Sequence, residues 1–319
     1  MTSPILRRRT ALLGGALLLT ATACSSKEQP ATAGSSAAST KTREVETNDG
    51  TVTVPADPQR VVVLDNAVLA FLDLGGKPVG VSSWDETSLA DLPQEQQDAY
   101  HAATAVSTSS GENDLEKIAS LEPDVIITQT GDDTWETTRD ELNSIAPSVF
   151  VNQASDWEFR VVAFATAGNL LDTMNEQKKT YEGLISSIKT DYADVLETKK
   201  IAEVYRMASS ESGQFALNQS LSAEVARDEG ILTFDEPTPM SFEQIGDLAE
   251  YDLLVYNARS DGQPTAGIEP LLETNAWKAL PAVKEGHAQG VYAPWGRSYG
   301  FMVQYLQGLE QALATLTTK

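Results

Sequence analysis

Cysteine is almost absent from this chain: Cys24 is the only one in 319 residues. A lone thiol excludes an internal disulfide and any cysteine-based metal site, so the fold must rest on its hydrophobic core. Histidine is nearly as scarce, with His101 and His287 alone. A zinc or manganese site needs several His and carboxylate ligands converging, and two histidines leave little for acid–base catalysis. Basic charge is short as well, 23 Lys and Arg against 46 Asp and Glu, for a net charge of −23. That field repels a phosphate backbone and excludes nucleic-acid binding. There is no Gly-x-Ser-x-Gly elbow and no phosphate-binding glycine loop, which argues against an extracellular hydrolase. The carboxylates Asp132, Asp133 and Glu141 read as solvated charges. Past the first two dozen residues, no apolar stretch is long enough to cross a bilayer.

What is present begins with Arg7, Arg8 and Arg9, followed by an uninterrupted run of small and apolar residues from Ala11 to Ala23. A positive patch and a short apolar run are the pattern of a secretory signal, too short to stay as a membrane span. Ala21-Thr22-Ala23 leads into Cys24 and resembles a bacterial lipobox, which implies acylation of that thiol. Arg8-Arg9 also resembles a twin-arginine signal, so both export routes stay open. The expectation is a signal peptide over 1–23 and an extracytoplasmic body anchored to the cell membrane by a lipid on Cys24. Residues 24–43, rich in Ser, Ala and Thr, read as a flexible tether.

The body opens with a hairpin pattern, Val45 to Val54 around Asn48-Asp49-Gly50. Apolar runs at Arg60–Asp65, Pro78–Ser82, Asp124–Thr128 and Val149–Val151 then alternate with helical patterns, which predicts a parallel α/β sheet. From Trp157 to Leu196 the apolar residues recur at helical spacing with a break near Asp172-Thr173. The part from Met174 to Leu196 predicts a helix of roughly 34 Å. Alternation restarts with strands at Ile201–Met207, Gln214–Leu217, Leu253–Tyr256 and Gly290–Tyr292. The architecture expected is an N-terminal α/β lobe over 44–172, a connecting helix over 173–197 and a C-terminal α/β lobe over 198–319.

Several segments, in order, carry a resemblance. They are Pro58-Gln-Arg-Val-Val-Val-Leu64, Asp114-Leu-Glu-Lys-Ile118, Leu121-Glu-Pro-Asp-Val-Ile-Ile127, Ile145-Ala-Pro147, Ser241-Phe-Glu-Gln-Ile245 and Trp277-Lys-Ala-Leu-Pro-Ala-Val-Lys284. Together the series resembles the class III substrate-binding proteins of ABC importers, which serve iron-siderophores, haem and cobalamin. The resemblance implies two Rossmann-like lobes joined by one long helix, no catalysis and no resident cofactor. It implies a monomeric receptor delivering a small iron chelate to a permease dimer with its ATPase. It also implies that one exposed glutamate per lobe docks on that permease; by motif these are Glu116 and Glu243.

Ligand residues are expected just past strand ends: Trp84, Trp135, Arg206, Asn257, Arg259, Trp295, Arg297 and Tyr299. Indoles and phenols offer an apolar platform with a polar edge, and guanidinium groups offer paired donors to chelate oxygens. Trp157 and Trp277 read as helix packing. No direct metal ligand is expected, although haem stays open through His101 or a tyrosine. Anionic ferric catecholates would favour basic groups and neutral hydroxamates aromatic walls; the residues leave both open.

Overall fold

The computed structural model describes residues 41–108, 112–207, 209–231 and 237–317. The leader, Cys24 and all but the end of the tether lie outside the described residues. β1 (Thr42–Thr47) and β2 (Gly50–Pro55) form the expected antiparallel hairpin. Gly50 follows the Asn48-Asp49 turn at φ +96°, a region open to a residue without a Cβ.

Val61, Val62, Val63 and Leu64 are all buried in β3 (Val61–Asp65), as a strand covered on both faces requires. With β4 (Gly80–Val81), β5 (Thr104–Ala105), β6 (Val125–Thr130) and β7 (Ser148–Asn152) it forms an all-parallel sheet of order β5-β4-β3-β6-β7. Its helices are α1 (Ala67–Asp73), α2 (Glu86–Ala90), α3 (Gln94–Ala102), α4 (Leu115–Ser120), α5 (Asp132–Ile145) and α6 (Trp157–Ala167). α1 ends in a Schellman turn: Gly75 N donates to Leu72 O at 2.9 Å and Gly76 N to Phe71 O at 3.0 Å.

The helix break expected near Asp172-Thr173 falls earlier. Asn169 takes φ +59° and Leu170 N reaches back to Ala165 O at 2.8 Å, which ends α6 by the same turn geometry. α7 (Leu171–Asp191) then runs 21 residues, about 32 Å at the helical rise, and Tyr192 separates it from α8 (Ala193–Thr198). The single helix expected over 173–197 is therefore two, the second short.

Beyond it lies a second five-stranded sheet of order β10-β9-β8-β11-β12. Its strands are β8 (Ile201–Tyr205), β9 (Gln214–Leu217), β10 (Thr238–Ser241), β11 (Leu253–Ala258) and β12 (Ala288–Tyr292). β8, β11 and β12 run parallel, whereas β9 follows β8 without a crossover helix and pairs antiparallel. The helices are α9 (Leu221–Asp228), α10 (Glu269–Leu272), α11 (Asn275–Ala279), α12 (Pro281–Lys284) and α13 (Tyr299–Ala314), with a 3-10 helix at Phe242–Glu250. α13 packs along α7. The two α/β lobes with a long helix between them are the expected fold class.

One of the buried acids makes a large contribution to the pH dependence of stability. Glu203 on β8 is 1 % exposed, and its carboxylate accepts from Ser220 N at 3.0 Å and Ser220 Oγ at 2.6 Å. Burial pushes its pKa from 4.5 up to about 7, the two Ser220 bonds opposing. The folded chain thus keeps a proton that the unfolded chain releases, so stability falls as pH rises from 4.5 to about 7. Glu203→Gln is expected to reduce that fall by about 3 kcal/mol, at 1.36 kcal/mol per pKa unit. Urea melts of both proteins at the two ends of the window measure it; an unchanged fall would mean that Glu203 is not the linked group.

Candidate functional site

In each sheet the chain leaves the central strand, β3 or β8, to build outward on both sides. Such a reversal opens a crevice at the carboxyl ends of the strands. Two chambers occupy these ends, each lined by residues from both lobes. The first, of about 290 Å³, is lined by Asn66, Trp84, Gln129, Gln153 and Arg160 on one side and Leu221, Trp295, Gly296 and Arg297 on the other. The second, of about 240 Å³, is bounded by Leu69, Asp85, Ser88, Asp91 and Leu92 opposite Tyr205, Arg206, Met207, Asn257, Thr265, Tyr292 and Pro294. Trp295, 45 % exposed, lines both.

Local chemistry fixes the walls. Asp65 ends β3 at φ +55°, its carboxylate accepting from Asn113 Nδ2 at 3.0 Å and Thr128 Oγ1 at 2.8 Å. Trp84 Nε1 donates to Asp65 O at 3.3 Å, and its backbone N to Tyr100 Oη at 2.8 Å. The indole is thereby held at the end of β4. Arg160, in the first turn of α6, donates from Nη1 to Gln153 O at 2.9 Å. Burial first, and then the Arg297 charge, push the Arg160 guanidinium below the usual arginine range, Asp156 opposing. Arg297 pairs through Nη2 with Glu224, while its buried Nε has no partner among the described residues.

Two expected residues line the second chamber with their polar groups already engaged. Arg206 is 8 % exposed and turns its Nε to Gln214 O at 2.9 Å, Nη1 to Gly267 O and Nη2 to Ser210 O at 3.4 Å. Asn257 accepts from Arg206 N at 3.1 Å and donates to Arg206 O at 3.1 Å and Thr265 Oγ1 at 2.7 Å, stitching β8 to β11. Both shape the wall.

Three expected residues lie elsewhere. Trp135 is 4 % exposed on α5, stacked on Phe150 with centroids 4.7 Å apart and donating to Asp49 Oδ2 at 3.2 Å. One helical turn past the strand end is enough to point it into the core. Tyr299 is fully buried in the first turn of α13, donating to Glu158 Oε1 at 2.6 Å between Trp157 and Tyr181. Arg259 pairs with Asp261 at 3.2 Å, outside both chambers. Neither histidine lines a chamber. No group of three or more His, Cys, Asp or Glu that could hold a metal occurs among the described residues, and no described helix is long and apolar enough to cross a membrane.

Residues 61–289 match the model of a family described as periplasmic binding protein. The chain belongs to the periplasmic binding protein family. Among relatives, it is 36 % identical over 194 residues to the "Probable siderophore-binding lipoprotein YfiY" of Bacillus subtilis, a match covering 60 % of this chain and 57 % of that one. It therefore spans little more than half the length of that relative. It is 26 % identical over 275 residues to the "Fe(3+)-citrate-binding protein YfmC" of the same organism, covering 82 % of each. Among solved structures, the siderophore periplasmic binding protein from the fuscachelin gene cluster of Thermobifida fusca superposes with a TM-score of 0.71 at 26 % identity, covering 81 % of this chain and 98 % of that one.

Within this periplasmic binding protein, Glu116 opens α4 in the first lobe and Glu243 opens the 3-10 helix in the second, both exposed. Sequence reasoning missed Arg160, Gln129, Gln153 and Asn66. The last three end or follow strands, the same signal that marked Trp84. Arg160 sits in an apolar helix that reads as core, yet α6 begins at the carboxyl end of β7 and so starts inside the crevice.

Proposed function

We propose that the chain is a lipid-anchored receptor that captures a ferric siderophore between its lobes and delivers it to an ABC permease for iron uptake. The supporting observation is the first chamber, where two indoles and two guanidinium groups from opposite lobes face one space. Aromatic faces pack on an organic chelate, and arginines pair with oxygens around the metal. The names of the two relatives and the solved neighbour agree with iron-chelate binding. The leader and Cys24 support an anchored body outside the cell, with residues 24–43 as its leash. Residues 44–172 and 198–319 act as the two jaws.

Haem fits less well. With neither histidine in a chamber, its iron would turn to Tyr205 or Tyr292, and burial, the largest influence on each, holds both phenols far above their usual range in neutral form. Native mass spectrometry against a panel of ferric siderophores and haemin tests the reading; no siderophore complex at 10 µM ligand would overturn it. Binding is also expected to quench tryptophan fluorescence, with at least half of the quench lost in the double variant Trp84→Phe, Trp295→Phe. A full quench in that variant would remove both indoles from the contact.

A further inference from the structure

The two chambers differ in the sign of their charge. The first holds Arg160 and Arg297 and no carboxylate among its lining residues, the one acid paired to it, Glu224, standing behind Arg297. The second holds Asp85 and Asp91, and its one arginine, Arg206, directs all three nitrogens at backbone carbonyls. Asp85 Oδ1 accepts from Ser88 N at 2.9 Å as a helix cap. Asp91 is half-buried, and its carboxylate takes no hydrogen bond among the described residues. On the facing wall Tyr292 is 7 % exposed and its hydroxyl has no partner among the described residues. Neither oxygen has a hydrogen-bond partner among the described residues, although the Arg259 charge acts on Asp91; a hydroxyl accepts as well as donates, so one donor from outside the chain would serve both. Trp295 joins the chambers, and a ligand crossing its ring would reach both.

Resting on the siderophore reading, we propose that the cargo carries split charge: an anionic iron-chelating head held by Arg160 and Arg297, and a cationic arm, ammonium or guanidinium, held at Asp91 and Tyr292. A charged donor meets a carboxylate with about twice the strength of a neutral hydrogen bond, which favours a cation over an amide or hydroxyl. Burial holds the Asp91 carboxyl up at about 6, with Arg259 opposing and Asp85 and Asp261 adding to it, so the site gains from an arriving positive charge. A neutral hydroxamate chelate would bring no negative charge to this pair, in which Arg297 has Glu224 and Arg160 only the nearby Asp156 charge.

Three synthetic ferric chelates on one tripeptide backbone test this by titration calorimetry on the full chain: a tris-catecholate bearing a free lysine, its Nε-acetylated twin, and a neutral tris-hydroxamate. The free amine is expected to bind about tenfold tighter than the acetylated twin, a typical yield for one charge-assisted bond. Asp91→Asn should shrink that ratio below about twofold, and Arg160→Gln should weaken both catecholates about tenfold. Equal affinity of the twins, or a ratio that survives Asp91→Asn, overturns the cationic arm. Tight binding of the hydroxamate alone overturns the split charge while the siderophore reading stands. Binding of none of the three overturns both.

Discussion

Reversing both exposed glutamates, Glu116→Arg with Glu243→Arg, is expected to abolish iron uptake by intact cells while the Kd for the chelate stays within about twofold. The fold tolerates the change because neighbouring groups hold these helix starts. Asp114 caps α4 by accepting from Lys117 N at 3.1 Å, and Gln244 Oε1 accepts from Ser241 N at 2.9 Å at the start of the 3-10 helix. Neither glutamate has an ion-pair partner among the described residues. Losing an acid at a helix N-terminus costs about 0.3–1 kcal/mol each. If the two glutamates dock on basic groups of a permease, as the resemblance implies, the same change would remove two charge pairs and set like charges against each other, at about 2–5 kcal/mol per pair. Together that is a loss of more than about a thousandfold in docking affinity. Radioactive iron uptake beside a Kd measurement separates the two effects. Uptake at the parental rate would show that the permease is met elsewhere; a large rise in Kd would place the glutamates in the lobes' own architecture.

Much of the fold was legible because its signals are local. β3 and the first half of β6 are continuous apolar runs, β8 is apolar but for Glu203, and β9 matches its expected span at both ends. α2 and α3 were not legible: Glu86–Ala102 is rich in Gln, Asp and Glu with few apolar residues to set a period, and only Leu89, Leu92, Gln96 and Tyr100 are buried there. The start of α5 was not legible because its first turns carry Asp132, Asp133 and Thr134, polar residues that read as loop. The site was half legible for a related reason. Strand ends locate the crevice, which placed Trp84 and Trp295 against it. Orientation after the strand end depends on packing that no spacing reveals. Trp135 turns inward onto Phe150, and Tyr299 is claimed by Glu158, Trp157 and Tyr181 from another lobe and the connecting helix. Arginines from both lobes meet in the first chamber, whereas strand-end reasoning placed every candidate arginine in the second lobe.

Substituting Gly300 with alanine is expected to destabilise the chain by about 3 kcal/mol or more, through a carboxylate that joins the lobes. Asp73, at the end of α1 and 7 % exposed, accepts from Ser298 Oγ at 2.5 Å, Phe301 N at 3.1 Å and Gln96 Nε2 at 3.1 Å. Gln177 on α7 donates to Asp73 O at 2.8 Å. Elements of the first lobe, the connecting helix and the start of α13 thus meet at one residue. Burial raises its pKa to about 6 despite those donors, so the carboxylate is confined in a dry site. A Cβ on Gly300 would stand 2.3 Å from Asp73 Oδ2 and 2.7 Å from Gln177 Nε2. The carboxylate is short and pinned by three donors; moving it strands them at about 1–3 kcal/mol for each buried group left unpaired, and overpacking adds about 1–3 kcal/mol. Gly308→Ala on the same helix is the control: its Cβ would meet Val291 Cγ1 at 3.0 Å, a tight contact but with one side-chain methyl rather than a pinned carboxylate, and one set against the roughly 1 kcal/mol that alanine gains over glycine in a helix. Urea melts of the two variants decide the matter. A Gly300→Ala midpoint equal to that of Gly308→Ala would mean that the carboxylate yields freely. A wide gap would identify Asp73 as the fastener that holds α13 against the first lobe, directly behind Leu69 and Ala70, where α1 forms the back of both chambers.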